Sequence, residues 1–226
     1  GSREDFSEDT SSFKVPCVIV TTSAENWSME ELSSVSIDDE KAGETIVDYL
    51  IEHGHTKIAE IGANLELSQT ARLRHNGYLN SLKKHGITPD ERYYERARFS
   101  YDSAYRAMKK LLEKDIEITA VYAISDVMAI GALRAILDKG LRVPEDISIT
   151  GFDGSTLAEY YNPKIVSIRQ PHKDMAARSV ELLFNMIDLH KGSCHEIIPF
   201  ELTGARVLLE LIKDYIISAC YIPDIQ

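Results

Sequence analysis

The chain is poor in cysteine, and it has no long apolar run. Its 226 residues hold three cysteines, Cys17, Cys194 and Cys220. They lie far apart, without the short spacing that a zinc site or a redox dithiol uses, so neither a metal nor a disulfide framework is expected. An odd, sparse count fits reduced thiols in a cytosol. No apolar stretch approaches the roughly eighteen residues that cross a bilayer, so no membrane partner is expected. The opening GSREDFSEDTSSF is acidic and polar and lacks the apolar centre of a secretion leader. Positive charge is scarce as well. Lys and Arg number 25 against 36 Asp and Glu, a net charge of −11. A phosphate backbone repels such a chain on average, and no basic cluster offsets this, so this polypeptide alone is expected to bind nucleic acid poorly. GxxxxGK[ST], GxSxG and HExxH are all absent. With no nucleophile–base pair in view, no catalytic residue, no cofactor and no enzyme activity are expected. Internal repeats and low-complexity tracts are missing too.

What is present is an alternation of short apolar runs and amphipathic stretches. Lys14–Thr22 (KVPCVIVTT) reads as a buried strand with Pro16 near its start. Val35–Ile37 is a second short strand that ends at Asp38–Asp39. Asp39 suits the cap of the helix that follows, whose apolar face is Ala42, Ile46, Val47, Leu50 and Ile51. Strand 57–61 leads to a helix started by Ser68 or Thr70, and a further helix runs over 103–114. Strand 118–124 leads to a helix capped by Ser125. Strands 147–152 and 164–169, helix 172–189 and strand 196–202 complete the pattern. Strand–helix alternation at this spacing predicts parallel sheets covered by helices on both faces.

Gly140 to Pro171 organises the rest. Gly140 ends a helix, Pro144 blocks its continuation, and a buried-type strand runs to Phe152–Asp153 between Gly151 and Gly154. In an open α/β sheet, ligands bind beyond the carboxyl ends of the strands, where Asp153 lies. The same spacing also fits an Asp in an ordinary strand-to-loop turn.

VPEDISITGFD (143–153), followed by YYNP (160–163) and SIRQP (167–171), closely resembles the signature of the LacI/GalR family of bacterial transcription regulators. The matching part is the effector-binding domain, and the resemblance runs over about 15–202. It implies two Rossmann-like parallel-sheet lobes joined by three crossovers, with the N-terminal lobe incomplete. Residues 14–53 and 171–190 would form that partial lobe, 57–169 and 195–203 the C-terminal lobe, and 204–226 an atypical apolar tail. Relatives carry a helix-turn-helix DNA reader, a hinge helix and further strands ahead of the matching region. The N-terminal remnant, short of those strands, is expected to be disordered, self-associated or completed by another chain, with Val18, Ile19, Val20, Ile46, Val47 and Leu50 losing partners.

By the same resemblance, Asp38, Arg74, Phe99, Ser125, Asp153 and Gln170 line an effector cleft between the lobes. Carboxylates accept from paired hydroxyls, a guanidinium donates in a fork, and an aromatic ring covers an apolar sugar face, so the set suits a sugar. Read singly, Arg72 and Arg74 also fit solvated helix charges, Phe99 fits plain core, and Asp126 fits a first-turn helix acid. His53 and His55 straddle a helix-ending glycine and read as a turn, not a metal site. Asp38–Asp39 diverge as neighbours and do not make a hydrolytic pair.

The expected function is therefore the sensing half of a cytoplasmic sugar-responsive repressor. It would form a homodimer and meet operator DNA only through a domain outside this chain. A periplasmic-type solute-binding protein of a sugar transporter shares the fold and stands as the alternative, with a non-functional truncated gene product as the third.

Overall fold

The computed structural model describes residues 15–25, 27 and 31–204. The acidic start and the tail after 204 lie outside the described residues, as does part of the loop around Trp27.

Two sheets are present. The smaller holds β1 (Cys17–Val20), β2 (Leu32–Ser36) and β8 (His195–Ile197) in the order β1-β2-β8, all parallel. The larger has six strands in the order β4-β3-β5-β6-β7-β9: β3 (Ile58–Gly62), β4 (Tyr94–Arg96), β5 (Ala120–Ala123), β6 (Ser148–Asp153), β7 (Val166–Arg169) and β9 (Glu201–Thr203). The helices are α1 (Asp39–Glu52), α2 (Gln69–Lys84), α3 (Tyr101–Glu113), α4 (Asp126–Asp138), α5 (Thr156–Tyr160) and α6 (His172–Asp188). The chain passes between the sheets three times, after β2, after β7 and after β8.

Local chemistry accounts for most of these elements. Ser68, Ser100, Ser125 and Ser155 each sit in extended backbone and accept an N–H from three residues on, which caps α2, α3, α4 and α5. Strands β3 and β5 and nearly all of β6 are buried, as strands covered by helices on both faces must be. Ile61, Tyr122, Phe152, Met128 and Leu133 are among the side chains wholly withdrawn from water.

Two expectations are corrected. The apolar face of α1 does not lose its partners: Ile46, Val47 and Leu50 are buried in the main core. Helix α1 lies directly on α2, because Gly43 and Gly77 let the backbones meet. A Cβ on Gly77 would press on the Glu40 carbonyl, and one on Gly43 would lie 2.6 Å from the Arg74 carbonyl. Burying such side chains is worth about 1.5–3 kcal/mol each, and α2 supplies the cover. Next, the stretch expected as one strand over 196–202 is two. Strand β8 ends at Ile197 in the small sheet, and β9 begins at Glu201 in the large one, antiparallel to β7. Pro199, with no N–H for a ladder, stands at the crossing. Parallel pairing dominates both sheets, as expected, and β9 runs antiparallel to β7 at the edge of the larger one.

The small sheet behaves differently. Strand β1 is only half-buried, and among the described residues nothing pairs with its outer edge. Helix α6 buries Met175, Leu182 and Met186 but leaves Val180, Phe184 and Ile187 exposed.

Candidate functional site

The carboxyl ends of β5 and β6 and the first turns of α1 and α2 converge on one side chain. Arg74, on α2, is 4% exposed. Its Nε donates to Asp39 Oδ1 at 2.7 Å, and its Nη1 donates to the Ile124 carbonyl at 2.7 Å, just past β5. The same Nη1 lies 3.7 Å from Asp153 Oδ1, and Cζ stands 3.6 Å above the Phe152 ring. The guanidinium is thus held by two carboxylates, a carbonyl and a ring face.

Asp153 closes β6 with φ of 108°, a conformation that side-chain-bearing residues rarely adopt. Gly154, next, is also left-handed at 66°. The two turn the strand end sharply, and Gln170 Nε2 donates to Asp153 Oδ1 at 2.8 Å. Backbone strain of this kind persists only where the surroundings over-determine it, and it concentrates at ligand-binding positions. Gln170 is itself 5% exposed, and its Oε1 is buried without a hydrogen-bond partner. A buried acceptor left open is a place for a ligand donor. Beside it opens a cleft of about 710 Å³ lined by Gly154, Arg169, Gln170, His172, Lys173 and Phe200.

Burial drives the electrostatics. It pushes the Asp153 carboxyl up to about 6, with Arg74 pulling down and Asp126 pushing up. Burial also raises the Asp39 carboxyl, against the pull of Arg74. Arg74 is pushed further up by Asp39 and Asp153, although burial alone would lower it. The group at the centre is a permanent cation ringed by carboxylates, and it is suited to hydrogen bonding of hydroxyls.

Of the residues singled out from sequence, Arg74, Asp153 and Gln170 come together. The others stand apart from that cluster. Asp38 is exposed and accepts the Lys41 N–H at 2.9 Å, so the helix cap belongs to Asp38 and not to Asp39. Asp39 instead enters the first turn of α1 and turns inward to Arg74. Ser125 is buried as the cap of α4. Phe99 is half exposed in the loop between β4 and α3, and the ring under Arg74 is that of Phe152. Sequence reasoning missed the inward turn of Asp39 and the ring of Phe152. Only the adjacency of Asp38 to Asp39 and of Phe152 to Asp153 hinted at these two.

Among the described residues no cluster of His, Cys, Asp or Glu fits a metal ion. None of the described helices is long and apolar enough to cross a membrane.

Residues 47–203 match the family model of the periplasmic binding protein-like domain. The chain is 39% identical over 201 residues to the HTH-type transcriptional regulator MalR of Clostridium butyricum, which covers 88% of this chain and 59% of that protein. Among solved structures it resembles the transcriptional regulator CelR in its cellobiose complex, with a TM-score of 0.75 and 28% identity, over 83% of this chain and 64% of that one. It also resembles a LacI family regulator from Enterococcus faecium with bound ribose, with a TM-score of 0.74 and 26% identity, over 83% and 68%. The chain spans about half to three fifths of the length of the curated relatives it matches.

Proposed function

Because the chain belongs to the periplasmic binding protein-like family, as the effector-binding domain of a LacI-type regulator, we propose that it senses a small hydroxylated molecule, in the first place a sugar. The observation that carries this reading is the convergence of Arg74, Asp153 and Gln170 at the strand tips, with the Gln170 acceptor left open beside a cleft. A sugar hydroxyl both donates and accepts, so one hydroxyl pair serves the Asp153 carboxylate and the Gln170 oxygen while accepting from the guanidinium.

In this reading the protein catalyses nothing. Its relatives are regulators, and binding energy is used to bias a lobe arrangement, not to lower a barrier. Ligand-dependent lobe closure is transmitted to a DNA reader outside this chain, within a cytoplasmic homodimer, as a coupling free energy between two sites. Tyr160, 82% exposed beside Leu157 on α5, offers an apolar surface for the second copy.

Calorimetric titration of the chain with a panel of neutral sugars, ribose and cellobiose included, tests the site. Asp153→Ala and Gln170→Ala should each weaken binding about 10- to 100-fold, as loss of a hydrogen bond to a charged or buried partner does. Unchanged affinity in both variants removes the assignment.

A further inference from the structure

Asp126 opens α4 and is 1% exposed. A first-turn acid with only a dipole role stays in water. This one is instead bonded across two other elements. Its Oδ2 accepts the Ser155 N–H at 2.6 Å, and its Oδ1 accepts the Ser167 hydroxyl at 2.7 Å from β7. Ser167 Oγ in turn accepts the Gly154 N–H at 3.0 Å. The carboxylate also lies against Gly151, where an added Cβ would strike Oδ1. The N–H groups of the two residues that follow Asp153, Gly154 and Ser155, are therefore gripped from one side. Asp153 and Gly154 hold positive φ.

We propose that Asp126 is a positioning residue of the effector site: with Ser167 it clamps the left-handed turn after β6 so that the Asp153 carboxylate faces Arg74 and Gln170. This rests on the effector-site reading above. A side chain such as Asp153 leaves positive φ when nothing holds it there, because that conformation is unfavourable by about 1–3 kcal/mol. The clamp supplies the opposing interaction, since hydrogen bonds to a buried carboxylate are among the stronger ones. Without it the turn relaxes and Asp153 swings towards water.

The titration of Asp153 reports its position. The groups that face it are Arg74 from α2, Asp126 from α4, Gln170 from the connection between β7 and α6, and His172 at the start of α6; Tyr122 on β5 is in electrostatic reach. Carbon-detected NMR of the Asp153 carboxyl in the whole chain, assigned with Asp153→Asn, gives its midpoint between about pH 4 and pH 8. The wild type should titrate near about 6. Ser167→Ala keeps the Asp126 charge and removes two clamp bonds, the one to Asp126 and the one from Gly154. Asp126→Asn removes the charge and one acceptor. In both, the midpoint should fall towards the ordinary Asp value as the carboxyl regains water, and in Asp126→Asn loss of the like charge adds to the fall.

A midpoint that stays in place in either folded variant overturns the proposal, whatever happens to the melting temperature. A merely structural serine changes stability and leaves that midpoint alone, whereas Asp126→Asn lowers it through the lost charge in any case, so a fall in Ser167→Ala is the result that carries the clamp. Should Asp126→Asn fail to fold, Ser167→Ala decides by the same readout. No ligand is used, so a positive result alongside failed sugar titrations keeps the clamp and removes the effector reading.

Discussion

Replacing Arg74 by Met keeps an unbranched apolar stem over Phe152 and removes the charge. Asp39, 3% exposed, then has no cation. Breaking a buried ion pair from one side costs about 3–5 kcal/mol, because the remaining charge has lost water and gained nothing. For a chain of this length each kcal/mol shifts the melting temperature by about 2–4 °C, so a drop of roughly 6–20 °C is expected. Arg74→Met combined with Asp39→Leu removes both charges and should recover most of the loss, since two apolar partners leave nothing stranded. The pH dependence carries a definite sign. Burial already holds the folded Asp39 carboxyl above 3.8. Without Arg74 it rises further. A carboxyl raised on folding adds stability below its unfolded value and loses it as pH rises through the folded value. The deficit of Arg74→Met should therefore shrink as pH is lowered and Asp39 takes up a proton. Urea denaturation followed by circular dichroism over a pH series measures the wild type and both variants. A single variant that loses less than about 1 kcal/mol, or a double variant as unstable as the single, would refute the account of a stranded carboxylate.

Two further outcomes follow from the same geometry. Gly77→Ala places a methyl against the Glu40 carbonyl and 2.6 Å from Glu44 N, so α1 and α2 must part; a loss of about 1–3 kcal/mol in the urea midpoint is expected, and a neutral result would mean the helices separate freely. On β3, Glu60 is wholly buried and pairs with His75 Nδ1 at 2.6 Å. Burial lowers His75, but Glu60 lifts it back and leaves it above 6.5. Stability from this pair is therefore full below pH 6.5 and falls as pH rises through the raised value. Glu60→Gln should flatten that decline, and an unchanged slope would exclude the pair as its source.

Much of this architecture depends on signals a few residues long. Ser68 and Ser125 announce helices because a side-chain oxygen reaches an N–H three residues ahead, whatever the rest of the chain does. The α1 face of Ala42, Ile46, Val47 and Leu50 follows from the 3.6-residue period. Asp153 was legible because a buried-type run ending between glycines marks the tip of a strand, where sheets of this kind bind ligands. The sequence alone therefore determined the order of elements, the fold class, and three of the residues that meet.

Tertiary structure decided which neighbour does which task. Asp38 and Asp39 are chemically identical, and only the rotation of α1 against α2 turns the second one to Arg74, 35 positions away. Pairing across 41 positions, between Asp126 and Ser167, made a helix acid into a clamp. Phe152 supplies the ring beneath the guanidinium because the pleat of β6 aims it there. The split of the last strand at Pro199 likewise depended on two sheets lying near enough for the chain to cross. Local periodicity carries no information about such distances, and burial, which raises the Asp39 and Asp153 carboxyls, exists only once the helices have closed over the sheet.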